Sequence, residues 1–292
     1  MKKSHPSKVS FIKAAYWITG SVIAVATIGY TLVNKIVTAR RDLDQDPRQR
    51  IVRIIQTGPQ KEALSTLYLS ELMQLSIDRP FTMRSFNLKL AEKRLRSSPV
   101  VQDVKIFFDG PGTVAVDYEV RQPSAWLYDF VNIGVDISGV PFPIYPFYSP
   151  KKLPEIYLGE PLQLIWNRPI DHPKMQLSLS LLEMLAPAPF LIKRIDVGGA
   201  FAESYGKKQI VLIIEEQFKI SYQDREILCI LPRILRLSTK EYRQELGNYL
   251  VLRDELSSSF DPTLADFDRE ERIARLPEQV IDLRIAGMAF LK

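Results

Sequence analysis

The chain has 292 residues, of which 46% are hydrophobic and 25% charged, enough for one large domain or two modest ones with real cores. Its net charge of +5 does not indicate a nucleic-acid partner, because seven of the 39 basic residues and none of the 34 acidic ones precede Asp42. The positive charge therefore flanks an apolar N-terminal segment. Cys229 is the only cysteine, which excludes an intramolecular disulfide, and its apolar surroundings in the sequence predict a small buried side chain.

The first predicted element is a transmembrane helix at residues 14–34. These 21 residues carry no charge and lie between two lysines. As a helix they would span roughly 32 Å, close to the thickness of a hydrocarbon core. Tyr16 and Trp17 at one end, and Tyr30 near the other, suit the two membrane interfaces. Residues 1–13 are then a short tail.

The orientation of this helix follows from the basic residues around it. Slightly more of them precede the span than follow it, which favours a cytoplasmic N-terminus and an extracytoplasmic C-terminal part. A cleaved signal peptide is the alternative, because Ala24-Val25-Ala26 resembles a cleavage site with small residues. Apolar sequence continues to Val33, which fits an uncleaved anchor better. Residues 35–50 are mostly charged and polar after the first few positions and contain Pro47, so they are predicted to be a linker.

Residues 51–121 are predicted to form a β-α-α-β-β module in which two helices cover one face of a small sheet. Apolar residues at helical spacing indicate the helices, and Asn87 can cap the second one. Strands with alternating apolar residues flank a turn rich in glycine and proline, a pattern typical of a hairpin. The predicted elements are a strand at 51–55, helices at 65–75 and 87–96, and strands at 104–108 and 114–118.

Residues 122–292 are predicted to form a second, β-rich domain with flanking helices. Residues 139–161 contain six prolines interleaved with aromatic residues, and are predicted to be an ordered loop. The other predicted elements are strand-like sequence in 122–135, helices at 173–185 and 239–256, and strands at 192–197, 209–215, 218–222 and 280–285.

Seven short stretches of the sequence are notable for their order and spacing: 69–75, 91–95, 98–101, 104–106, 118–126, 135–142 and 281–284. Together they resemble the FtsQ/DivIB family of bacterial division proteins. Two departures are Ile285, where family members often have tyrosine, and residues 257–278, which are longer and more charged than expected. The resemblance implies an α+β fold with an N-terminal transmembrane helix, a POTRA-like module at 51–121 and a mostly antiparallel FtsQ-type β domain at 122–292.

The resemblance also implies a function. It predicts a single-pass inner-membrane scaffold of the division machinery whose partners are FtsB- and FtsL-like bitopic proteins. Such a scaffold would help regulate septal peptidoglycan synthesis without a cofactor, a small-molecule substrate or nucleic acid. The alternative is a POTRA-bearing component of protein export or outer-membrane assembly. That reading predicts tandem POTRA units or a following barrel, for which little sequence is left.

An extracytoplasmic enzyme is the rival class. The two histidines, His5 and His172, are too few for a histidine-rich metal site, and no cysteine is near either. S-x-x-K occurs three times, but no K-T-G follows, and there is no G-x-S-x-G, phosphate-binding loop or H-E-x-x-H. The sequence therefore predicts a binding protein without a catalytic, cofactor or metal site.

The predicted partner-binding site is the last strand and the residues after it. A partner can add a strand to an exposed sheet edge, gaining backbone hydrogen bonds there. On such a strand Ile281, Leu283 and Ile285 share one face, and Met288 and Phe290 would extend the apolar contact. The alternative is that these five residues belong to an ordinary core or a frayed tail.

Overall fold

The structure, a computed structural model, describes residues 8–45, 49–76, 78, 81–149, 152–222, 225–258, 266–268 and 273–292. The chain divides into two units, Met1–Leu95 with Val104–Tyr118, and Arg96–Asp103 with Glu119–Lys292. The helices are α1 Lys8–Gln45, α2 Thr66–Met73, α3 Leu88–Ser97, α4 Pro173–Leu185 and α5 Tyr242–Ser258. The strands are β1 Arg53–Thr57, β2 Val101–Phe108, β3 Thr113–Val120, β4 Ala125–Leu127, β5 Ile133–Val135, β6 Pro141–Pro143, β7 Glu155–Tyr157, β8 Leu191–Asp196, β9 Ile210–Tyr222, β10 Arg225–Leu237, β11 Asp266–Asp268, β12 Ile273–Arg275, β13 Gln279–Asp282 and β14 Phe290–Leu291.

Helix α1 contains one stretch, Tyr16–Ala39, that is long and apolar enough to cross a membrane. It has 24 residues and a mean hydropathy of 1.6, and none of it is buried within the protein. Hydroxyl groups along it, such as that of Thr27, donate to carbonyls one turn earlier and so need no water. The helix continues to Gln45, so residues 35–45 of the predicted linker are helical. No glycine or proline occurs between Lys35 and Pro47, so nothing in this stretch ends the helix earlier.

The first unit contains a three-stranded sheet in the order β1-β3-β2. Strand β1 runs parallel to β3, with Arg53 opposite Thr113 and Thr57 opposite Asp117. Along the chain the elements follow the order strand, helix, helix, strand, strand. Asn87 caps α3 as predicted, because its Oδ1 accepts a hydrogen bond from the backbone N–H of Leu90 at 3.0 Å.

The second unit is built on a large mixed sheet in which strands run in the order β11-β12-β10-β9-β8-β7-β4-β5-β6, with β13 also paired to β10 and β14 to β13. Helices α4 and α5 supply side chains to one buried cluster with the sheet. Met175 of α4 and Tyr249 of α5 belong to it, together with Leu212 of β9 and Ile281 of β13. This face of the sheet is the core of the unit.

The sequence prediction for the second unit needs two corrections. Residues 225–237 form β10, which pairs with β9 along 13 residues and was not predicted. The proline-rich stretch contains two short strands, β6 and β7, where a loop was expected. The described part of the sheet has more antiparallel pairs than parallel ones, in agreement with the predicted mostly antiparallel domain. Its parallel pairs are β4–β7, β7–β8, β10–β12 and β10–β13. Helix α4 covers Pro173–Leu185, the predicted range.

Strand β10 was missed because its interior carries Pro232 and Arg233, which disturb the pattern expected of a buried strand. On one side β10 pairs with β12 at Leu228–Ile230 and with β13 from Arg233 onward. Pro232 lies between these two segments, where its missing N–H breaks no pairing with either strand. A central strand therefore tolerates a proline at this one position.

Candidate functional site

Two of the five predicted contact residues lie in the core, Ile281 on the closing strand β13 and Leu283 directly after it. Strand β13 runs parallel to β10, with Ile281 opposite Leu235. Ile281 and Leu283 are 0% and 4% exposed and belong to the core cluster of the second unit. The prediction that Ile281 contacts a partner is therefore wrong, and Leu283 is nearly as buried. Both side chains lie on the face of the sheet that the core cluster covers, and the edge of β13 is paired with β14.

The other three predicted residues lie on the surface. Ile285, Met288 and Phe290 are 54%, 59% and 51% exposed, and Leu291, which was not predicted, is 50% exposed. These four residues are called the C-terminal apolar surface below. Exposed apolar side chains are individually common, but a group of four within seven residues of the chain indicates a contact surface.

Strand β14 presents an unpaired edge beside this surface. The backbone N–H and C=O of Lys292 both bond Val280, each at 3.0 Å. In an antiparallel pair, bonded residues alternate with residues whose N–H and C=O point the other way. The backbone groups of Leu291 therefore point away from β13, and in the described part of the chain β14 pairs with no other strand. The edge is thus available for one further strand.

The two faces of β14 differ in what they meet. Leu291 stands directly opposite Ile281, and Phe290 opposite Asp282. Directly opposite residues share a face of the sheet. Leu291 therefore lies on the face covered by α5, and Phe290 on the opposite face. A strand added to this edge would place alternate side chains on each of these faces.

An open cleft of about 270 Å³ lies between α5 and residues 283–289, and it is called the α5 cleft below. Leu283, Ile285 and Met288 line one side of it. This volume is just below the range of ligand pockets, which begins at roughly 300 Å³, so the cleft suits one or two side chains of a partner. The other side is lined by Glu241, Gln244, Glu245, Asn248 and Leu252.

The wall of the cleft formed by α5 is fixed by a buried polar network under the helix. The hydroxyl of Tyr249 donates to Glu216 Oε1 at 2.5 Å, and Arg233 Nη1 lies 3.2 Å from the same hydroxyl. Arg233 and Glu216 form an ion pair at 3.7 Å with both side chains 1% exposed, and Arg253 Nε donates to Glu216 Oε1 at 3.1 Å. Burial and the neighbouring Glu216 carboxylate raise the pKa of Tyr249, so the phenol stays protonated and can donate.

A second ion pair fixes the segment that leaves β13. Arg284 donates to both oxygens of Asp282, at 2.9 Å and 2.7 Å, and its Nη1 donates to the carbonyl of Gly206 at 3.2 Å. Arg236 on β10 lies 3.7 Å from Asp282. These hydrogen bonds, chiefly those from Arg284, hold the pKa of Asp282 below its ordinary value despite partial burial. The hydrogen bonds of Arg284 to Asp282 and Gly206 therefore hold the segment after β13 in place.

The remaining candidate residues have structural roles. His172 caps α4, since its Nδ1 accepts from the backbone N–H of Lys174 at 3.3 Å, and its Nε2 lies 3.4 Å from Glu160. Cys229 is buried, which raises the pKa of its thiol. Among the residues whose placement the structure describes, no three His, Cys, Asp or Glu side chains are grouped to hold a metal ion. His5 lies outside the described residues.

The residues of α5 that line the cleft were not predicted as part of the site. In the sequence their polar side chains read as the solvated face of a helix, and nothing marks that face as lying beside the chain terminus. The parallel pairing of β13 with β10 brings the two together. The sequence indicated a contact surface only through the apolar residues near the end of the chain, Met288, Phe290 and Leu291.

Comparison with known proteins adds no identification. No protein-family model matches the chain, and no curated protein matches its sequence. Membership of the FtsQ/DivIB family is therefore still an expectation from the short stretches quoted above.

Proposed function

We propose that the chain is a bitopic scaffold of the bacterial cell-division machinery, anchored in the inner membrane with its N-terminus in the cytoplasm. In this role it binds other division proteins through its extracytoplasmic part and helps regulate septal peptidoglycan synthesis, without performing chemistry itself. The observation that carries the proposal is the unpaired edge of β14 beside the C-terminal apolar surface.

The surface has the chemistry of a protein-binding site. Covering a half-exposed aliphatic or aromatic side chain contributes about 1 kcal/mol, so the four residues together contribute about 4 kcal/mol before the costs of association. A strand added at Leu291 would contribute backbone hydrogen bonds and a fixed register. The small cleft next to it can take a side chain of that strand.

Helix α1 makes such a small interface sufficient. A chain anchored by Tyr16–Ala39 meets FtsB- and FtsL-like bitopic partners in the same membrane. Confinement to one membrane raises the effective concentration of each partner, so a weak contact between extracytoplasmic parts is populated more than it would be in solution. This favours a scaffold over a protein that must capture its partners from solution.

The identity of the two units belongs to the same proposal. The β-α-α-β-β order around the sheet β1-β3-β2 supports a POTRA-like module in the first unit. The large sheet with two helices on one face supports an FtsQ-type β domain in the second. The first unit offers a second surface for membrane proteins of the division machinery.

Photo-crosslinking in living cells of the source bacterium tests the proposal. A photo-reactive phenylalanine analogue replaces Phe290 in the full chain, and in a control it replaces Phe201, which is similarly exposed at 52% against 51%. We expect crosslinks to FtsB- or FtsL-like proteins from position 290 and none from position 201. The fluorescently tagged chain should also collect at the division site.

Two outcomes contradict the proposal. Crosslinks from position 290 to export or outer-membrane assembly proteins alone would replace it with the alternative function. An absence of crosslinks to division proteins from position 290, with the full chain present in the membrane, would remove the C-terminal apolar surface from the binding role.

A further inference from the structure

The α5 cleft carries an electrostatic feature that the C-terminal apolar surface lacks. Glu241 and Glu245 both line it, and among the described lining residues there is no lysine, arginine or histidine. Glu245 is engaged, since its Oε2 accepts from the backbone N–H of Ser238 at 2.7 Å. The exposed carboxylate of Glu241 enters no ion pair with the described part of the chain. One negative charge at the cleft is therefore left for an external group.

The geometry of β14 directs a partner toward this charge. Leu291 points to the α5 side of the sheet and offers its backbone N–H and C=O at the open edge. Alternate residues of a strand added there point to the same side as Leu291. Side chains of that strand would lie next to Ile285 and Met288, which share the cleft with Glu241.

We infer that the α5 cleft binds an extended partner segment in which an aliphatic side chain and a lysine or arginine lie on the same face of the strand. The aliphatic group packs between Leu252 and Met288, and the basic group pairs with Glu241. The charge selects the partner, because an acidic residue at the same place would face Glu241 with like charge. The inference rests on the proposed binding role of this surface and adds the chemistry of the segment it takes.

The test uses a displayed library of random ten-residue peptides, selected on the full chain in nanodiscs. We expect enriched peptides to alternate aliphatic with other residues and to carry lysine or arginine two positions from an aliphatic one. Selection on the Glu241→Lys chain should enrich aspartate or glutamate at that position instead. Selection on Glu203→Lys, which reverses an exposed charge that does not line the cleft, should give the wild-type preference.

Binding of one enriched peptide, measured by fluorescence anisotropy, completes the test. Glu241→Gln should weaken it about fivefold, the effect of one partly exposed charge pair, and Glu203→Gln should leave it unchanged. The inference is wrong if no peptide is enriched, if enriched peptides show no preference for a basic residue, or if Glu241→Lys leaves the preference as it was. The selection contains no division protein, so its failure is distinguishable from failure of the proposed function, which the crosslinking decides.

Discussion

The buried ion pair Glu216–Arg233 gives the sharpest stability prediction, because removing one partner leaves the other charge buried without a counter-charge. Both side chains are 1% exposed, and Arg233 lies 3.7 Å from Glu216 Oε1. Glu216→Leu leaves the guanidinium buried without a carboxylate, which costs about 4 kcal/mol of unfolding free energy. Glu216→Leu combined with Arg233→Met removes both charges and should cost at most about 2 kcal/mol, mostly from the lost partner of the Tyr249 hydroxyl. The double variant is therefore the more stable one.

The assay is urea unfolding of the full chain in detergent, followed by tryptophan fluorescence. Trp126 and Trp166 lie in the second unit, and Trp17 lies in α1, so a Trp17→Phe background makes the signal report the second unit. With a slope of about 2 kcal/mol per molar urea, Glu216→Leu lowers the midpoint by about 2 M. In the same background Tyr249→Phe removes one hydrogen bond to a charged group and should cost about 2 kcal/mol.

Two results would refute this reasoning. One is a double variant that is as unstable as Glu216→Leu, or less stable. The loss of unfolding free energy would then not come from a buried charge without a partner. The other is a loss below about 1 kcal/mol for Glu216→Leu, which would mean that water reaches Arg233 and that the network does not hold α5.

Three further predictions concern the cleft segment, the core and the membrane helix. Asp282→Asn should lower the unfolding free energy by about 1 kcal/mol at pH 7 in the urea assay. Folding lowers the pKa of Asp282, so the stabilisation by its carboxylate is lost as the pH falls. The difference in unfolding free energy between wild type and variant should therefore shrink below about pH 4 and vanish at pH values under the lowered pKa. Gly159→Ala should cost about 2 kcal/mol, since Gly159 has a φ of +73° and a Cβ there would lie 2.8 Å from Gly198 Cα; an unchanged midpoint would contradict this. Ile23→Arg should weaken insertion of α1 by about 3 kcal/mol, seen as release of the chain from membranes by alkaline carbonate, whereas Ile23→Leu should stay bound.

The elements that the sequence predicted well are those with a strong local signal. Helix α4 starts at Pro173, which suits the first position of a helix, and His172 precedes it as the cap. Helices α2 and α3 likewise have polar caps, Ser65 and Asn87. The membrane-length stretch of α1 follows from composition alone. In each case the information lies within a few residues of the element.

The parts that were missed depend on pairing between distant segments. Strand β10 contains Arg233, whose burial is possible only because Glu216 and Tyr249 reach it from β9 and α5. The placement of Ile281 and Leu283 in the core follows from the parallel pairing of β13 with β10, which brings them under α5. Alternation along the last strand predicted which residues share a face, but not which face is covered.

The proposal that the C-terminal apolar surface binds division proteins is tested most directly by the partner affinities of two matched variants. Deletion of residues 279–292 would not be a valid test, because Ile281 and Leu283 belong to the core and their loss would unfold the second unit. Phe290→Asp and Phe201→Asp change phenylalanines of matched exposure, and each full chain in nanodiscs is titrated with a purified FtsB–FtsL-like complex from the same bacterium. We predict that Phe290→Asp weakens binding at least about tenfold and that Phe201→Asp leaves it unchanged. Equal affinities for wild type, Phe290→Asp and Phe201→Asp, or no binding by wild type, would contradict the account.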